Sequence, residues 1–146
     1  MHPQNRFWSV MSKVFGEEFV FPNKALDGNA TETTITAAIA ERQNFLLQHN
    51  IAMWDVLASC KIEGAADSSI RDAEPNDFTQ IFEGSQIHHV FCTGKTAYNL
   101  WKKYCTGKYE QRYNLTVHCL PSTSPANAQW SLEKLSNEYR KIKIIK

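Results

Sequence analysis

The sequence predicts an α/β protein, a three-layer α/β/α sandwich around a short central parallel sheet. Three observations carry this. Runs with strand character alternate along the chain with segments whose apolar residues recur at helical spacing. Of the 146 residues, 42% are apolar and four are Trp, enough to build a core. No internal repeat and no low-complexity tract interrupts the chain, so one domain over residues 1–146 is expected.

The elements follow in order. Residues 5–15 read as a helix, with Phe7, Trp8, Met11, Val14 and Phe15 at helical spacing and Trp8 in the core. Residues 16–32 hold Gly16, Pro22 and Gly28 and read as a loop. Thr34 to His49 predicts a helix with Ile35, Ala38, Ile39, Arg42, Phe45 and Leu46 on one face, stopped at Asn50. Ile51–Leu57 reads as a buried strand passing into a loop or turn, with Asp55 as its one charge. Pro75-Asn76-Asp77 starts a short helix that Gly84 ends. Gln86–Cys92 is strand-like. Thr93-Gly94-Lys95 then opens an amphipathic helix to about Cys105, with Thr93 or Thr96 as its cap. Asn114–Leu120 is a second clear strand, and residues 129–143 form a last helix with Trp130, Leu132, Leu135 and Tyr139 inward.

In parallel α/β folds the site lies beyond the carboxyl ends of the strands. Asp55, Thr93-Gly94-Lys95 and the loop 120–127 all fall at such ends. Thr93-Gly94-Lys95-Thr96 is not a phosphate loop, because the run before it, through Val90-Phe91-Cys92-Thr93, lacks the motif's first glycine.

Charge and cysteines exclude several classes. The net charge is +1, but residues 1–80 carry six Lys/Arg against eleven Asp/Glu, and residues 81–146 carry ten against four. The basic half can attract a phosphate backbone, with Lys95, Lys102, Lys103, Lys108 and Arg112 among the candidates. Cys60, Cys92, Cys105 and Cys119 form no Cys-x-x-Cys pair, so reduced, mostly buried thiols are expected rather than a zinc or iron–sulfur site. Five scattered histidines offer no ligand spacing; His88, His89 and His118 are read as packing or surface residues. No apolar run reaches the roughly 18 residues of a membrane span, and the start lacks a signal peptide's apolar core. A cytoplasmic protein is expected.

Two motifs carry chemistry. His2-Pro3-Gln4-Asn5-Arg6-Phe7-Trp8 places an amide, a cation and two aromatics just before a helix. Leu120-Pro121-Ser122-Thr123-Ser124-Pro125-Ala126-Asn127 is a proline-stiffened hydroxyl loop directly after a strand. Taken alone, Asn5 reads as a helix cap, Phe7 as a core aromatic and the loop as a tight turn. Asn5 also suits holding a water, since an amide both accepts and donates; it is a poor proton acceptor.

Together the motifs resemble the base pocket and DNA-probing loop of the uracil-DNA glycosylase superfamily, nearest to its hypoxanthine-DNA (deoxyinosine) glycosylase branch. The resemblance covers nearly the whole chain, with Ile51–Leu57, Asp67–Phe78, Ile87–Lys95 and Leu120–Asn127 in the family's order. It implies a monofunctional glycosylase that removes hypoxanthine, with uracil as a second substrate, by hydrolysing the N-glycosidic bond. No lysine sits in either motif to support lyase chemistry, and the reaction requires no metal or cofactor. The implied partner is double-stranded DNA with a flipped-out damaged base, bound by a monomer with no membrane association.

By the resemblance, Asn5 is the catalytic residue, Phe7 stacks on the base and Asp55 reads its edge. Pro121, Ser122, Thr123 and Ser124 press on the DNA backbone, with Ser122 as the phosphate-contacting serine and Lys95 as a further contact. Leu120 stands where many relatives have histidine, which separates the chain from the main uracil-specific branch, and Ser124 offers no large wedge. His-Pro-x-Asn-Arg-Phe-Trp also resembles the mismatch-specific uracil/thymine glycosylases, whose second motif differs. Relatives begin with a strand and a Gly-x-x-Pro-type loop before the first motif; this sequence begins at that motif. A shortened product without its central strand is therefore expected, and with it the alternatives of a non-catalytic DNA-binding remnant or an unrelated α/β domain.

Overall fold

The computed structural model describes residues 4–26, 30–62 and 70–145. His2 and Pro3 of the first motif, and Asp67, lie outside the described residues. Contacts group the chain into two compact units, Met1–Met53 with Ser122–Ile145, and Trp54–Pro121.

The first unit is helical. Helix α1 (Phe7–Phe15) buries Phe7, Trp8, Val10, Met11, Val14 and Phe15, and ends at Gly16, whose left-handed φ of 73° an L side chain would strain. Helix α2 (Glu32–Gln48) starts where the Thr31 side chain accepts from the Thr34 amide at 3.3 Å. It stops at Asn50, which takes φ +51°, as its sequence position predicts. Ala38, Arg42 and Phe45 are its buried residues, and Phe15, Phe19 and Trp8 meet Phe45 edge-to-face. The buried Arg42 guanidinium lies 4.2 Å from the Phe19 ring centroid. It donates to the Phe21 carbonyl and the Glu41 carboxylate, which also accepts from the Val20 and Phe21 amides. Burial lowers the Arg42 pKa, and Glu41 opposes that shift. The last helix of this unit, α6 (Leu132–Ile144), packs on α1 through Leu135 and Tyr139, with the Ser131 hydroxyl capping the Lys134 amide.

The second unit is mixed. Strands β1 (Leu57–Ile62) and β2 (Ile70–Pro75) pair antiparallel with an irregular register. After the short α3 (Thr79–Glu83), strands β3 (His89–Thr93) and β4 (Thr116–Leu120) pair in parallel, from His89 opposite Thr116 to Thr93 opposite Leu120. The crossover between them is α4 (Lys95–Tyr104), a π-helical turn at Thr106–Glu110 and α5 (Gln111–Tyr113), the connection that parallel strands need. Phe78, Phe82, Cys92, Trp101, Cys105 and Tyr109 form the core beneath them. The expected α/β class with a short parallel sheet is what the chain builds.

Several elements differ from the sequence reading. Ile51–Asp55 is not a buried strand: it is irregular, Trp54 is 64% exposed, and the strand begins only at Leu57. That strand pairs with β2 in an antiparallel hairpin that the periodicity did not reveal, because its small and charged residues give no apolar face and Asp72 (φ +47°) breaks its register. Gly94, not Thr93 or Thr96, holds the N-cap of α4. The last helix starts three residues late because Ser131 caps it, leaving Leu132 exposed; on α2, Ile39 is likewise exposed. Of the thiols, Cys92 and Cys105 are buried, and burial pushes them up to about 12 and about 11. Cys60 and Cys119 are exposed.

Candidate active site

Helix α1 opens with its first amides unpaired, as every helix does. Asn5 answers this by folding its side chain back, so that Oδ1 accepts from the Phe7 amide at 2.9 Å. The same oxygen accepts from the Thr123 hydroxyl, also at 2.9 Å, across 118 residues of sequence. Asn23 Nδ2 donates to the Asn5 carbonyl at 3.3 Å. Asn5 thus serves the helix start from the position before its N-cap residue, Arg6.

Arg6 fastens the second motif. Its amide donates to the Thr123 carbonyl at 3.1 Å. Its guanidinium donates to the carbonyls of Ser124 (2.8 Å), Asn127 (3.1 Å), Thr123 (3.4 Å) and Trp130. Among the described residues its charge meets carbonyl dipoles and no carboxylate, so the site keeps a net positive contribution. The planar fork of an arginine is what allows several carbonyls to share one cation.

The loop is also tied to itself. Asn127 Nδ2 donates to the Ser122 carbonyl at 2.9 Å, the Ser124 amide to the Ser122 hydroxyl oxygen at 3.2 Å, and the Ala126 amide to the Ser124 hydroxyl oxygen at 3.3 Å. Both hydroxyls accept from the backbone, which leaves each O–H free to donate outward. Thr123 differs: it is 4% exposed, and its hydroxyl turns inward to Asn5.

The remaining sequence-predicted residues are placed as follows. Phe7 is 7% exposed and packs edge-to-face on Trp8 and Tyr139, so little of its ring is open to a base. Asp55, Lys95 and Pro121 belong to the second unit. Asp55 is exposed, and its carbonyl accepts from Asn76 Nδ2 at 2.8 Å. Lys95 is the exposed first residue of α4, and Pro121 follows β4 directly. The structure therefore brings Asn5, Phe7, Ser122, Thr123 and Ser124 together in the first unit. Arg6 and Asn127 join them through hydrogen bonds, although the sequence reading quoted both without assigning a role. The signal for Arg6 was available, a lone cation wedged between Asn5 and two core aromatics. His89 and His118 face each other across the parallel strands at 3.2 Å, and His118 stacks on Phe91, which fits packing. Among the described residues no group of three metal-ligating side chains occurs.

The likeness to known proteins runs along the same lines. A hypoxanthine DNA glycosylase of Methanosarcina acetivorans is 29% identical over 140 residues, 92% of this chain and 73% of that protein. A hypoxanthine DNA glycosylase of Methanosarcina barkeri is 30% identical over 78 residues, 53% of this chain and 40% of that protein. The solution NMR structure of a Methanosarcina acetivorans protein, named as a candidate uracil DNA glycosylase, superposes with a TM-score of 0.61 at 24% identity. That superposition covers 97% of this chain and 78% of the other, and it shows the fold. In sequence the chain is thus similar to proteins named as hypoxanthine DNA glycosylases, and in fold to one named as a candidate uracil DNA glycosylase. No family model matches it. The polar assembly around Asn5 and Arg6 is the joint that holds the first motif to the second.

Proposed function

We propose that this chain is a monofunctional DNA glycosylase that hydrolyses the N-glycosidic bond of hypoxanthine, with uracil as a second substrate, in double-stranded DNA. The observation that carries the reading is the direct bond between Thr123 of one motif and Asn5 of the other, clamped by Arg6. The relatives named for hypoxanthine release support it.

The reaction breaks the C1′–N bond, and its electron pair leaves on the base. Water adds its oxygen to C1′, and the proton it sheds ends on the released base. An enzyme must first extrude the nucleotide and then stabilise the charge that separates as the bond breaks. In this reading Asn5 acts at the reacting centre. Phe7 supports the extruded base with what remains open of its ring, and Asp55 accepts an N–H from the base edge. Ser122 and Ser124 donate to backbone phosphate, Pro121 and Thr123 fix that loop, and Lys95 adds charge at the helix that follows β3. The whole of 1–146 acts as one monomeric domain on a flipped-out base. Among the described residues no helix is long and apolar enough to cross a membrane.

Single-turnover base release from duplexes containing inosine, uracil or a thymine mismatch tests this, with alkali cleavage reporting abasic sites. Release from inosine, lost in Asn5→Ala, is expected. Release confined to the thymine mismatch would place the chain with the mismatch-specific enzymes. Duplex binding without release from any of the three would make it a non-catalytic binder.

A further inference from the structure

The Asn5 carboxamide has a fixed sense. The atom facing the Phe7 amide at 2.9 Å must be the oxygen, because a backbone N–H can only donate. The Thr123 hydroxyl at 2.9 Å on that same atom must then also donate. Oδ1 has two lone pairs, and both are taken. Among the described residues Nδ2 has no hydrogen-bond partner, and Asn5 is only partly buried. Asn5 thus presents two N–H groups and no vacant acceptor.

We infer that Thr123 is a positioning residue that holds the Asn5 amide nitrogen outward, so that Asn5 serves base release as a hydrogen-bond donor to the departing base rather than as the acceptor that seats the water. This rests on the glycosylase reading above. A water that attacks C1′ must keep a lone pair aimed at carbon and give its hydrogens to acceptors. Asn5 has no acceptor left to offer, and an N–H donated to that water would engage one of its two lone pairs and draw charge from an oxygen that must attack carbon. The base, by contrast, gains negative charge as the C1′–N electron pair leaves on it. A preorganised donor aimed at one of its acceptors is the arrangement that lowers such a barrier. The sequence suggested water placement for Asn5 because an amide can do both; the fold removes one of the two options.

Asn5→Asp decides between the roles, since it exchanges Nδ2 for an oxygen of the same size. Single-turnover release from an inosine duplex should fall about a hundredfold or more in Asn5→Asp, at least as far as in Asn5→Ala. A faster rate for Asn5→Asp than for Asn5→Ala would overturn the donor role, because a carboxylate there would seat and activate water. Thr123→Val should slow single-turnover release at saturating enzyme about tenfold, which is roughly the net worth of one hydrogen bond. Thr123→Ser should recover the rate, and a Thr123→Val enzyme as fast as wild type would overturn the positioning role. One readout needs no activity: the through-hydrogen-bond NMR coupling between the Phe7 amide nitrogen and Asn5 Cγ should be present in wild type and weaker in Thr123→Val. Its absence in wild type refutes the orientation. A wild-type chain that shows the coupling but releases no base refutes the glycosylase reading and takes the donor role with it.

Discussion

The loop at residues 122–130 and the segment at residues 51–55 both lack regular structure, yet they are held in opposite ways. The loop gives the carbonyls of Thr123, Ser124, Asn127 and Trp130 to a single arginine and its Thr123 hydroxyl to Asn5. In the 51–55 segment Trp54 and Asp55 stand exposed, and Asp55 is tied through its carbonyl to Asn76. An irregular stretch can carry precise chemistry only when its backbone polar groups have fixed partners. By that measure the 122–130 loop is the preorganised stretch, whereas the Asp55 side chain stands exposed.

The largest break in this comparison is Arg6→Lys. A single ammonium cannot reach carbonyls spread over eight residues, so the loop should come free. Stability should fall by roughly 3 kcal/mol, since hydrogen bonds to a charged group contribute about 1.5–3 kcal/mol each and do not add fully. Denaturant melts report the first effect, and base release should fall with it. An Arg6→Lys chain that melts and reacts like wild type would mean the clamp is ornamental.

Asp55→Ala comes next, with a loss in base release and almost none in stability, because its exposed side chain gives up no packing. It should depress release more than DNA binding; equal losses in both would deny it the role of base reader.

The smallest effect lies in the second unit. Asp77 accepts from the Thr79 hydroxyl and amide, from the Tyr109 hydroxyl and from Lys108, all through Oδ1. The Thr79 bonds lead in holding its carboxyl well below the usual carboxylate range. A depressed carboxylate stabilises the fold above its ordinary pKa, and that contribution is lost as pH falls through the lower folded value. Asp77→Asn should therefore narrow the difference in melting temperature from wild type only in strong acid, below the ordinary carboxylate pKa, while leaving base release intact at neutral pH. A gap that stays constant into strong acid would contradict this.

The contrast also explains what the sequence could reveal. Helices α1, α2 and α4 and strands β3 and β4 were legible because their apolar residues repeat with the period of the element. The β1–β2 hairpin was not, because strands such as Ile70-Arg71-Asp72-Ala73-Glu74-Pro75 carry no alternating face. At the site, Asn5, Phe7 and the hydroxyl loop were legible as residue types in a familiar order. Their joining was not, since the bond from Thr123 to Asn5 spans 118 residues and depends on α6 packing on α1. Nor could spacing reveal that the Thr123 hydroxyl turns inward while those of Ser122 and Ser124 are set by backbone amides. That division follows from which hydroxyl the folded loop buries.

A double-mutant cycle on Asn5→Ala and Thr123→Val, read as single-turnover release from an inosine duplex, tests the joint between the motifs most directly. If Thr123 acts through Asn5, adding Thr123→Val to Asn5→Ala should cost nothing further, and the coupling should equal the whole effect of Thr123→Val alone. Fully additive losses would contradict the account, because they would show the two residues contributing to the reaction independently.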